Sequence, residues 1–515
     1  MVLMAGNWID RAIGYISPER GARRAAARAQ IDAFESATAH YDGASRSFRM
    51  RRHYPATSAN AETMFSLGRL RDISRDLRRN NAIAANAIEV IGSHVVGAGI
   101  LPTVETESAR VKARLQGLIR DHLETTAIDV EGRLDIYGLQ RLIMDTVVES
   151  GEAIVVRITP TSRRGLPLPF QVRVYEPDYI NSLINGPTGD GGFIFEGIEF
   201  DKQGRRVAYH LFTEHPGGGV TWQLPKTIRV AASEVLHVYR LDRPGQSRGV
   251  PWCAPVIMTL SDLHDFEDAE LVRQKIAACF AVFLEGASPD QNLAQKNATQ
   301  ITRNGTLIER LEPGLIQKLP SGVKATMASP PIAQGFSDYI KSKGHRIAAG
   351  YGVPYELLST DNSDVSFISG RLGLIQFNKN VDHWRWHMLI PHGCDGIGRW
   401  FLEAAGIEIG QDLSGKVRLR HTPPRREMIE PAKEVPAMRD AIRSGLSSLQ
   451  EELRALGHDP DVILAEIAEA GKKIDRLGIG LDSDGRRPYP YKADLSGVLS
   501  DDGKKEDGGN AKPSN

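Results

Sequence analysis

The sequence predicts an α+β protein, because helical and strand patterns occupy different stretches of the 515-residue chain. Over residues 61–160, apolar residues recur every three or four positions, which is typical of amphipathic helices. Residues 168–240 change to an alternation of apolar and polar residues, which is typical of strands. Helical spacing then returns for most of the remaining chain. The main group of strands is therefore expected in one insertion between helices.

The first helical region predicts helices followed by one strand. Its apolar repeat stops at Gly97 and Gly99, where glycine ends a helix. A further helix is expected around Ile136–Glu149, and Gly151 then precedes the β-branched strand EAIVVRI. The repeat is set by Leu70, Ile73, Leu77, Ile83, Ile88 and Ile91.

The insertion at residues 168–240 predicts a compact antiparallel β region. Its alternating segments read FQVRVYEPD, FIFEGIEFD, RRVAYHLF and TIRVAASEVLHVYR. Turn-forming residues separate these segments, as a hairpin sheet requires. The turns are expected at Asn185–Pro187, Gly189–Gly192, Asp201–Gly204 and Gly217–Gly219.

The segment that follows predicts a long helix from Pro251 with one acidic side. An apolar stripe is expected on the other side. No Lys or Arg lies among these carboxylates. Their like charges therefore repel one another unless water screens them. The stripe is Leu260, Leu263, Phe266, Ala269 and Val272, and the acidic residues are Asp262, Asp265, Glu267, Asp268 and Glu270.

Downstream, a polar segment at Ser359–Ser369 lies between two predicted helices and is a candidate moving element. The helix before it is expected to end at Gly350–Pro354, and the aromatic-rich helix after it at Pro391. A capping box at Ser447–Gln450 opens a helix closed by Gly457. Asp459-Pro460 opens another, closed by Gly471, and a disordered tail is expected from about Asp482.

Composition limits the functional classes. Basic and acidic residues balance at 64 each, which excludes a protein that binds nucleic acid through overall positive charge. An arginine cluster at Arg46, Arg49, Arg51 and Arg52 is a local exception to this charge balance.

The cysteines and the apolar runs indicate the compartment. Three widely spaced cysteines favour a reducing compartment. No apolar run reaches the length of a membrane span, so a soluble protein made in a cytoplasm is expected.

Two motifs resemble enzyme sites but lack their context. Gly245–Gly249 matches the G-x-S-x-G nucleophile pattern, which makes Ser247 the candidate nucleophile of a hydrolase. That pattern requires a sharp strand-to-helix turn, whereas here an extended linker is expected. Gly410–Lys416 matches the first seven positions of a phosphate-binding loop, but Val417 replaces the hydroxyl residue and a strand follows. No catalytic residue and no cofactor is therefore assigned.

Two clusters could in principle bind a metal. His383, His387, His392 and Cys394 are possible zinc ligands, although the surrounding aromatic residues favour packing. The acidic residues of the long helix, with His264, could bind a divalent cation. Helical geometry spreads these carboxylates over too wide an arc for one ion. A metal is assigned to neither cluster.

Several segments together resemble the tailed-phage portal proteins of the lambda family. In family order they read RDLRRNNAIAANAIEVIGSHVVGAGI, ESGEAIV, EPDYI, GIEFDKQGRRVAYHL, EVLHVYRLDRPGQSRGVPWCAPVI with DLHDFEDAEL, GVPYELLSTDNSDVSFISGRLGL and PPRREMIEPAKE. Each segment alone is a modest match, but seven in order argue against chance. The resemblance is weakest in residues 1–60 and after residue 482.

The resemblance implies a portal-type α+β fold with a wing, a helical stem, a β-containing clip and a helical crown. It implies a closed ring of about twelve copies with heterologous contacts. The expected parts are an N-terminal arm at 1–60, wing and first stem helix at 61–167, clip at 168–240, second stem helix running into the wing at 241–285, wing strands and helix at 286–357, tunnel loop at 358–368, long helix and wing strand at 369–436, crown at 437–481 and disordered tail at 482–515.

The implied function is a structural channel for double-stranded DNA at the capsid vertex of the virion. On this interpretation the five acidic residues line the channel, although pairing with arginines of a neighbouring subunit is an equal alternative. Non-specific contacts with the DNA backbone are expected from Lys341, Lys343, Lys379 and Arg371. The tunnel-loop residues are Ser359, Thr360, Asp361, Asn362, Ser363, Asp364, Val365 and Ser366.

The implied partners are further copies of the chain, double-stranded DNA, the terminase large subunit, a head-tail adaptor, and the major capsid and scaffold proteins. No membrane partner is expected, and assembly is expected in the host cytoplasm. Two alternatives stay open from the sequence: a serine hydrolase that uses Ser247, and a different phage structural or scaffold component.

Overall fold

The computed structural model describes residues 56–160, 165–218, 225–278, 335–424 and 430–479, with four short strands between residues 282 and 327 and a few single residues. Residues 1–58 and 59–515 form two compact units. The predicted arm at 1–60, its arginine cluster and the predicted tail at 482–515 lie almost entirely outside the described residues. The second unit contains the predicted β insertion and the long acidic helix.

The N-terminal part of this unit is mainly helical, as its apolar repeat predicts. A π-helical turn, Ile119–Leu123, follows α4, and a short 3₁₀ turn lies at Thr126–Ile128. The elements are α1 (Ala59–Thr63), α2 (Leu67–Asn80), α3 (Ala82–Val95), β1 (Leu101–Glu105), α4 (Ala109–Leu118), α5 (Ile136–Ser150) and β2 (Glu152–Ile158).

The described residues of the predicted β insertion form seven strands, which belong to two sheets. Strands β4 to β8 form one antiparallel sheet in chain order, and β3 and β9 pair with the two edges of β2 in the other. The strands are β3 (Gln171–Tyr175), β4 (Gly186–Pro187), β5 (Phe193–Phe195), β6 (Ile198–Phe200), β7 (Arg206–Phe212), β8 (Thr227–Ala231) and β9 (Val235–Tyr239).

Helices again dominate the rest of the chain. A π-helical segment, Arg385–Cys394, joins α9 directly to α10. Strand β14 pairs with β1, β10 with β13 and β11 with β12. The elements are α6 (Ile257–Ala278), β10 (Val282–Glu285), β11 (Ile301–Arg303), β12 (Thr306–Ile308), β13 (Lys324–Met327), α7 (Phe336–Tyr351), α8 (Tyr355–Ser359), α9 (Phe367–Trp384), α10 (Asp395–Ile409), β14 (Arg418–Thr422), α11 (Pro431–Arg443), α12 (Leu449–Ala455) and α13 (Pro460–Leu477).

Strand β2 lies between two hydrophobic cores. Ala153 and Val155 pack into the large core formed with α3, α5, α9 and α10. Ile154 and Val156 point to the opposite face and pack into a smaller core with the five-stranded sheet. Successive strand residues face opposite sides, so a strand buried on both faces reads as a continuous apolar run. The apolar run in EAIVVRI follows from this position between two cores.

The long acidic helix begins later than the sequence predicts. Residues 252–256 form turns, and α6 begins at Ile257 rather than at Pro251. Pro255 disfavours helical geometry in the residue before it, which explains the delayed start. Trp252 in these turns is fully buried and packs against Trp384, with 4.7 Å between ring centroids. The turn segment is thus fixed to the core.

Two predicted helix ends are wrong. The helix does not stop at Pro391, because the wider π-helical turn accommodates the proline ring and continues into α10. Helix α13 does not stop at Gly471, which is buried within it, but at Gly478 in the left-handed region. The predicted cap before α12 lies at Ser448, which accepts a hydrogen bond from the Glu451 N–H.

Candidate functional site

The acidic residues of α6 do not share one face. At about 100° per residue, Asp262, Asp265 and Asp268 fall within an arc of about 120°. We call these three exposed residues the Asp row. Glu267 is also exposed, but it lies about 200° from Asp265 and so points away from the row. The face of one charge sign is therefore narrower than the sequence suggested.

Glu270 differs from the other acidic residues of α6 because it is covered and paired. Its exposed fraction is 7%. Arg273 donates from Nε to Glu270 Oε2 at 2.7 Å and makes a second contact with Oε1. These hydrogen bonds lower the pKa of Glu270. Its charge is balanced within the helix, so it adds little to the negative surface.

Helix α7 holds α6 in place and brings one cation to the Asp row. Phe266 packs against Tyr339, with 4.4 Å between ring centroids, and against Phe336 at 5.6 Å. Lys343 on α7 lies with its Nζ 3.5 Å from an Asp262 carboxylate oxygen and 5.4 Å from the Tyr339 ring. Lys343, a predicted DNA contact, therefore partly neutralises the row.

The predicted tunnel loop is built from local hydrogen bonds. Its first two residues, Leu358 and Ser359, end α8, and Thr360 adopts the left-handed region at φ +59°. Asp361 accepts a hydrogen bond from the Ser363 N–H at 3.0 Å. The Ser363 side chain and this backbone bond lower the pKa of Asp361. Ser366 and Ser369 then form a capping box at the start of α9. Side chains therefore define the loop backbone.

The helices on either side of this loop are held by hydrogen bonds to other parts of the chain. Asn86 on α3 donates to the carbonyl oxygens of Leu357 and Leu358, at 3.0 and 2.7 Å. Asn380 on α9 donates to the Gly352 carbonyl at 3.1 Å. The exposed turn between these anchors thus projects from a fixed base.

The four predicted DNA contacts differ in their surroundings. Lys341 pairs with Asp364 in the tunnel loop and lies 4.0 Å from Asp361. Arg371 lies 3.6 Å from Glu430. Lys379 is exposed, and within the described part of the chain it has no recorded ion pair. Of the four, Lys379 has the cation most open to an outside partner.

Among the residues that the structure describes, the Ser247 hydroxyl contacts an amide and not the base that a hydrolase needs. Its hydroxyl accepts a hydrogen bond from the Asn60 side chain at 3.1 Å, and its backbone N–H donates to Asn60 Oδ1 at 2.8 Å. An amide cannot take the proton of a nucleophilic serine. The side chain is also buried. Asn60 therefore gives Ser247 a structural role, linking α1 to the loop after β9.

The possible zinc ligands of the aromatic helix do not converge. Cys394 is buried in the large core, where burial raises the pKa of its thiol to about 12. His383 and His387 lie one turn apart on the exposed side, with ring centroids 5.0 Å apart and the rings tilted by 51°. Gly410–Lys416 connects α10 to β14, which is the reverse of the strand-to-helix order of a phosphate-binding loop.

Among the described residues, one group has metal-ligand spacing: Glu176, Asp178 and His215. A cation already lies there, because Arg75 pairs with Asp178 and lies 3.1 Å from Glu176. His215 Nδ1 accepts the Gly217 N–H at 3.0 Å, which leaves the proton of the neutral ring on Nε2, the atom nearest Glu176. This group is best described as an ion-pair cluster.

Comparison with known proteins identifies the family. The sequence profile for phage portal proteins of the lambda family matches residues 46–385. The chain belongs to this family. It is 26% identical over 391 residues to a probable portal protein of Halomonas phage phiHAP-1, covering 74% of this chain and 73% of that protein. It is 22% identical to portal protein B of Escherichia phage lambda, covering 83% and 87%.

Among solved structures, similarity extends to a chain in the neck of a native GTA particle, computed with C12 symmetry. The identity is 14% and the TM-score 0.45, over 79% of this chain and 96% of that one. Portal proteins are structural, non-enzymatic components of the virion, and they form oligomeric rings. In the described part of this portal chain, no helix is long and apolar enough to cross a bilayer.

The portal chain also contains a buried charge cluster that sequence reasoning missed. Its centre is Glu152 on β2, which is fully buried. Glu152 accepts hydrogen bonds from Arg248 Nε at 2.8 Å, His237 Nε2 at 2.8 Å and the Gly249 N–H at 2.7 Å. Arg71 on α2 lies 3.4 Å away. One carboxylate thereby joins four segments of the chain.

The neighbouring positive charges keep Glu152 ionised. Burial alone would raise the pKa of Glu152, but Arg248, His237 and Arg71 hold it well below its ordinary value. Arg248 also lies 3.3 and 3.4 Å from the carbonyl oxygens of Glu196 and Pro177. The cluster therefore fixes the five-stranded sheet to the helical body. A sequence signal existed, because ESGEAIV and RPGQSRGVPW both lie in family-like segments.

Proposed function

We propose that this chain is the subunit of a closed ring at the capsid vertex, through which double-stranded DNA enters and leaves the capsid. The observation that carries the proposal is the Asp row on α6, in a chain whose family forms rings. A ring of about twelve copies would repeat the row around one axis. The three aspartates of each copy would then give the channel wall a negative charge.

A negative wall suits a channel that must not hold DNA. Phosphates of the duplex are repelled by the Asp row, so DNA does not adhere and can slide in either direction. Sparse cations then supply weak contacts that do not depend on base sequence. Lys379 is the best candidate, because Lys341, Lys343 and Arg371 have carboxylate neighbours in their own chain.

The segment at residues 358–368 is the proposed tunnel loop, of which residues 360–366 lie between α8 and α9. Its exposed turn lies between the anchored helices α8 and α9, and Lys341 ties Asp364 to α7. A loop held in this way can shift at its tip while its base stays in place. The five-stranded sheet is the proposed docking surface for the terminase large subunit and the head-tail adaptor. Contacts with the major capsid and scaffold proteins are proposed for the outer surface of the ring.

The competing role for the Asp row is pairing with arginines of a neighbouring subunit. Replacement of Asp262, Asp265 and Asp268 by asparagine distinguishes the two roles. A channel role predicts that rings still form, retain linear duplex at low salt at least about tenfold more strongly, and package less DNA. A pairing role predicts that rings fail to form.

The matched control removes three charges from α13, through Glu466→Gln, Glu469→Gln and Asp475→Asn. These replacements change the net charge by the same amount as the Asp-row replacements, but they lie on a different helix. Control rings should retain duplex as the unmodified protein does. Asp-row rings that form normally and show unchanged duplex retention would contradict the channel role.

A further inference from the structure

A groove lies between helix α10 and strand β14. Its volume is about 850 Å³, and it is lined by residues of α10, of the loop at 410–415 and of β14. Among the described residues none of β1 lines it, so the groove lies on the side of β14 away from β1. We call it the α10 groove. Its volume is within the range of about 300 to 1,000 Å³ that is typical of ligand-binding clefts.

One wall of the α10 groove is a strand edge with open hydrogen-bonding groups. In the described part of the chain, β14 pairs with β1 alone. Within the same part, residues 418–422 have no recorded backbone hydrogen bond to another segment. The N–H and C=O groups on the free edge of β14 are therefore open to an added strand.

Helix α10 forms the other wall and lies close to β14. A Cβ on Gly398 would come within 3.1 Å of the Leu419 side chain, so glycine permits this approach. Two aliphatic side chains of α10 also line the groove: Leu402 is half-buried, and Ile407 is 70% exposed. Backbone groups on one wall and aliphatic groups on the other are the combination that binds an extended peptide.

The charges of the α10 groove that remain open to an occupant are positive. Arg399 on α10 and Arg418 on β14 are exposed, and no ion pair of either is recorded in the described part of the chain. An occupant should therefore carry carboxylates. The acidic side chains of the groove already have partners, namely Asp395 with His421 at 2.9 Å, Glu403 with Arg157 at 2.7 Å and Asp412 with the Ser414 N–H at 2.9 Å.

The chain itself supplies a segment of this kind beyond the last described residue. Residues 480–515 contain few apolar side chains, but Leu495, Val498 and Leu499 lie close together in the sequence. Asp494 and Asp501 flank them. In an extended conformation Leu495 and Leu499 share one face, because strand residues alternate between two faces. A segment with so few apolar residues cannot bury them in a core of its own.

The dimensions of this segment and of the α10 groove agree. The helical wall of the groove runs from Asp395 to Gly410, which is about 22 Å at the rise of an α-helix. Residues 494–501 cover about 23 Å in an extended strand. One segment can therefore fill the groove from end to end.

The connection after α13 is long enough for the segment to reach the groove. Helix α13 begins near β14, since Asp461 pairs with Lys112, and Asp459 lines a small cavity together with Arg420. The helix is about 27 Å long. Residues 480–493 can span about 46 Å when extended, so the chain can return from the far end of α13 to β14.

We propose that residues 494–502 of the same chain bind in the α10 groove as a strand added to β14. The flanking aspartates pair with Arg399 and Arg418, and the two leucines cover the aliphatic wall of α10. The arginine-rich segment at 46–52 does not suit the groove, because like charges repel. The proposal requires no ring, so it and the proposed function can fail separately.

A cross-linking experiment tests where the segment lies. A photo-cross-linking amino acid replaces Gln411, an exposed residue of the groove, in the full chain. An equal mixture of isotope-labelled and unlabelled protein, with linear duplex DNA added, is irradiated and analysed by mass spectrometry. We expect cross-links to residues 494–502 of the same chain. Cross-links only to DNA, to another copy or to other parts of the chain, or no cross-links at all, would overturn the proposal.

Hydrogen exchange tests the strand pairing and the charges that support it. In the full chain the amides of residues 495–500 should exchange at least about tenfold more slowly than in a free peptide of residues 491–503, because strand pairing protects N–H groups. Arg399→Glu with Arg418→Glu should remove this protection and leave the thermal midpoint unchanged, because both side chains are exposed. Equal exchange in the chain and the peptide would contradict the proposal.

The matched control is Arg133→Glu with Arg205→Glu, which changes the net charge equally at exposed positions outside the groove. This control should keep the protection. Adding Asp494→Lys and Asp501→Lys to the groove variant reverses both charge pairs and should restore it. A groove variant that stays protected, or a charge reversal that restores nothing, would show that the segment does not bind there.

Discussion

At the scale of single residues, Glu152 gives the sharpest stability prediction. Glu152→Gln keeps the size of the side chain but leaves the buried Arg248 and Arg71 with only their more distant carboxylates, Glu196 at 3.6 Å and Asp178 at 3.8 Å. Removing one partner from a buried charge group costs about 3 to 5 kcal/mol. We expect the chemical denaturation midpoint to fall accordingly. The control is Asp440→Asn, which breaks an exposed pair with Arg439 and should change the midpoint little.

A second residue, His122, makes stability depend on pH. It is fully buried and packs against Phe170, with 5.0 Å between ring centroids. Burial lowers the pKa of His122 from 6.5 to about 4. Between these pH values the unfolded chain binds more protons than the folded chain, so stability falls as pH falls. The expected loss across the window is about 3 kcal/mol.

His122→Leu tests this dependence, because leucine has a similar volume and no proton to bind. The variant should lose less stability than the parent between pH 6.5 and pH 4, as measured by denaturant midpoints at several pH values. His237 also has a pKa lowered to about 4, mainly by burial, and it remains in both proteins. The difference therefore isolates His122. Equal pH profiles would contradict the assignment.

At the scale of elements, two glycines allow the end of α5 to cross the segment before α6. Gly151 has φ +90°, and a Cβ there would lie 2.5 Å from the Val250 carbonyl carbon. A Cβ on Gly249 would lie 2.1 Å from the Gly151 oxygen. Both distances are far shorter than a van der Waals contact. They involve backbone atoms, which cannot rotate away as a side chain can. The two segments can therefore cross this closely only if both Gly151 and Gly249 lack a Cβ.

Alanine at either crossing position should destabilise the protein by more than about 4 kcal/mol, or prevent soluble expression. Gly117→Ala in α4 is the matched control, because open space surrounds that position. Alanine favours a helix over glycine, so the control should gain up to about 1 kcal/mol. Thermal unfolding compares the variants. Normal stability of Gly249→Ala would mean that the two segments are not this close.

Element boundaries show where sequence patterns are sufficient and where they fail. Caps with a local cause were predictable, as at Asp459 before α13. Pro391 was misleading, because a proline ends an α-helix but is tolerated in a wider turn that long-range packing stabilises. The apolar run of β2 predicted a strand, but not its two cores, because its partner β9 lies more than 70 residues along the chain.

At the scale of the whole molecule, order along the chain carried more information than any single motif. Seven modest segments in family order indicated a portal protein, and the family profile over residues 46–385 confirmed it. Two members of the Glu152 cluster lie in family-like segments, but their pairing was not predictable, because the members come from residues 71 to 248 and meet only in the fold. The channel role of the Asp row stays a prediction until rings are examined.

Electron microscopy of the purified 515-residue chain tests most directly whether its copies form a DNA channel. We predict closed rings with a central hole wide enough for a B-form duplex and with the Asp row facing that hole. The same preparation should give one dominant oligomer in native mass spectrometry. A stable monomer or two-fold dimer under all assembly conditions, or rings whose Asp row faces away from the hole, would contradict it.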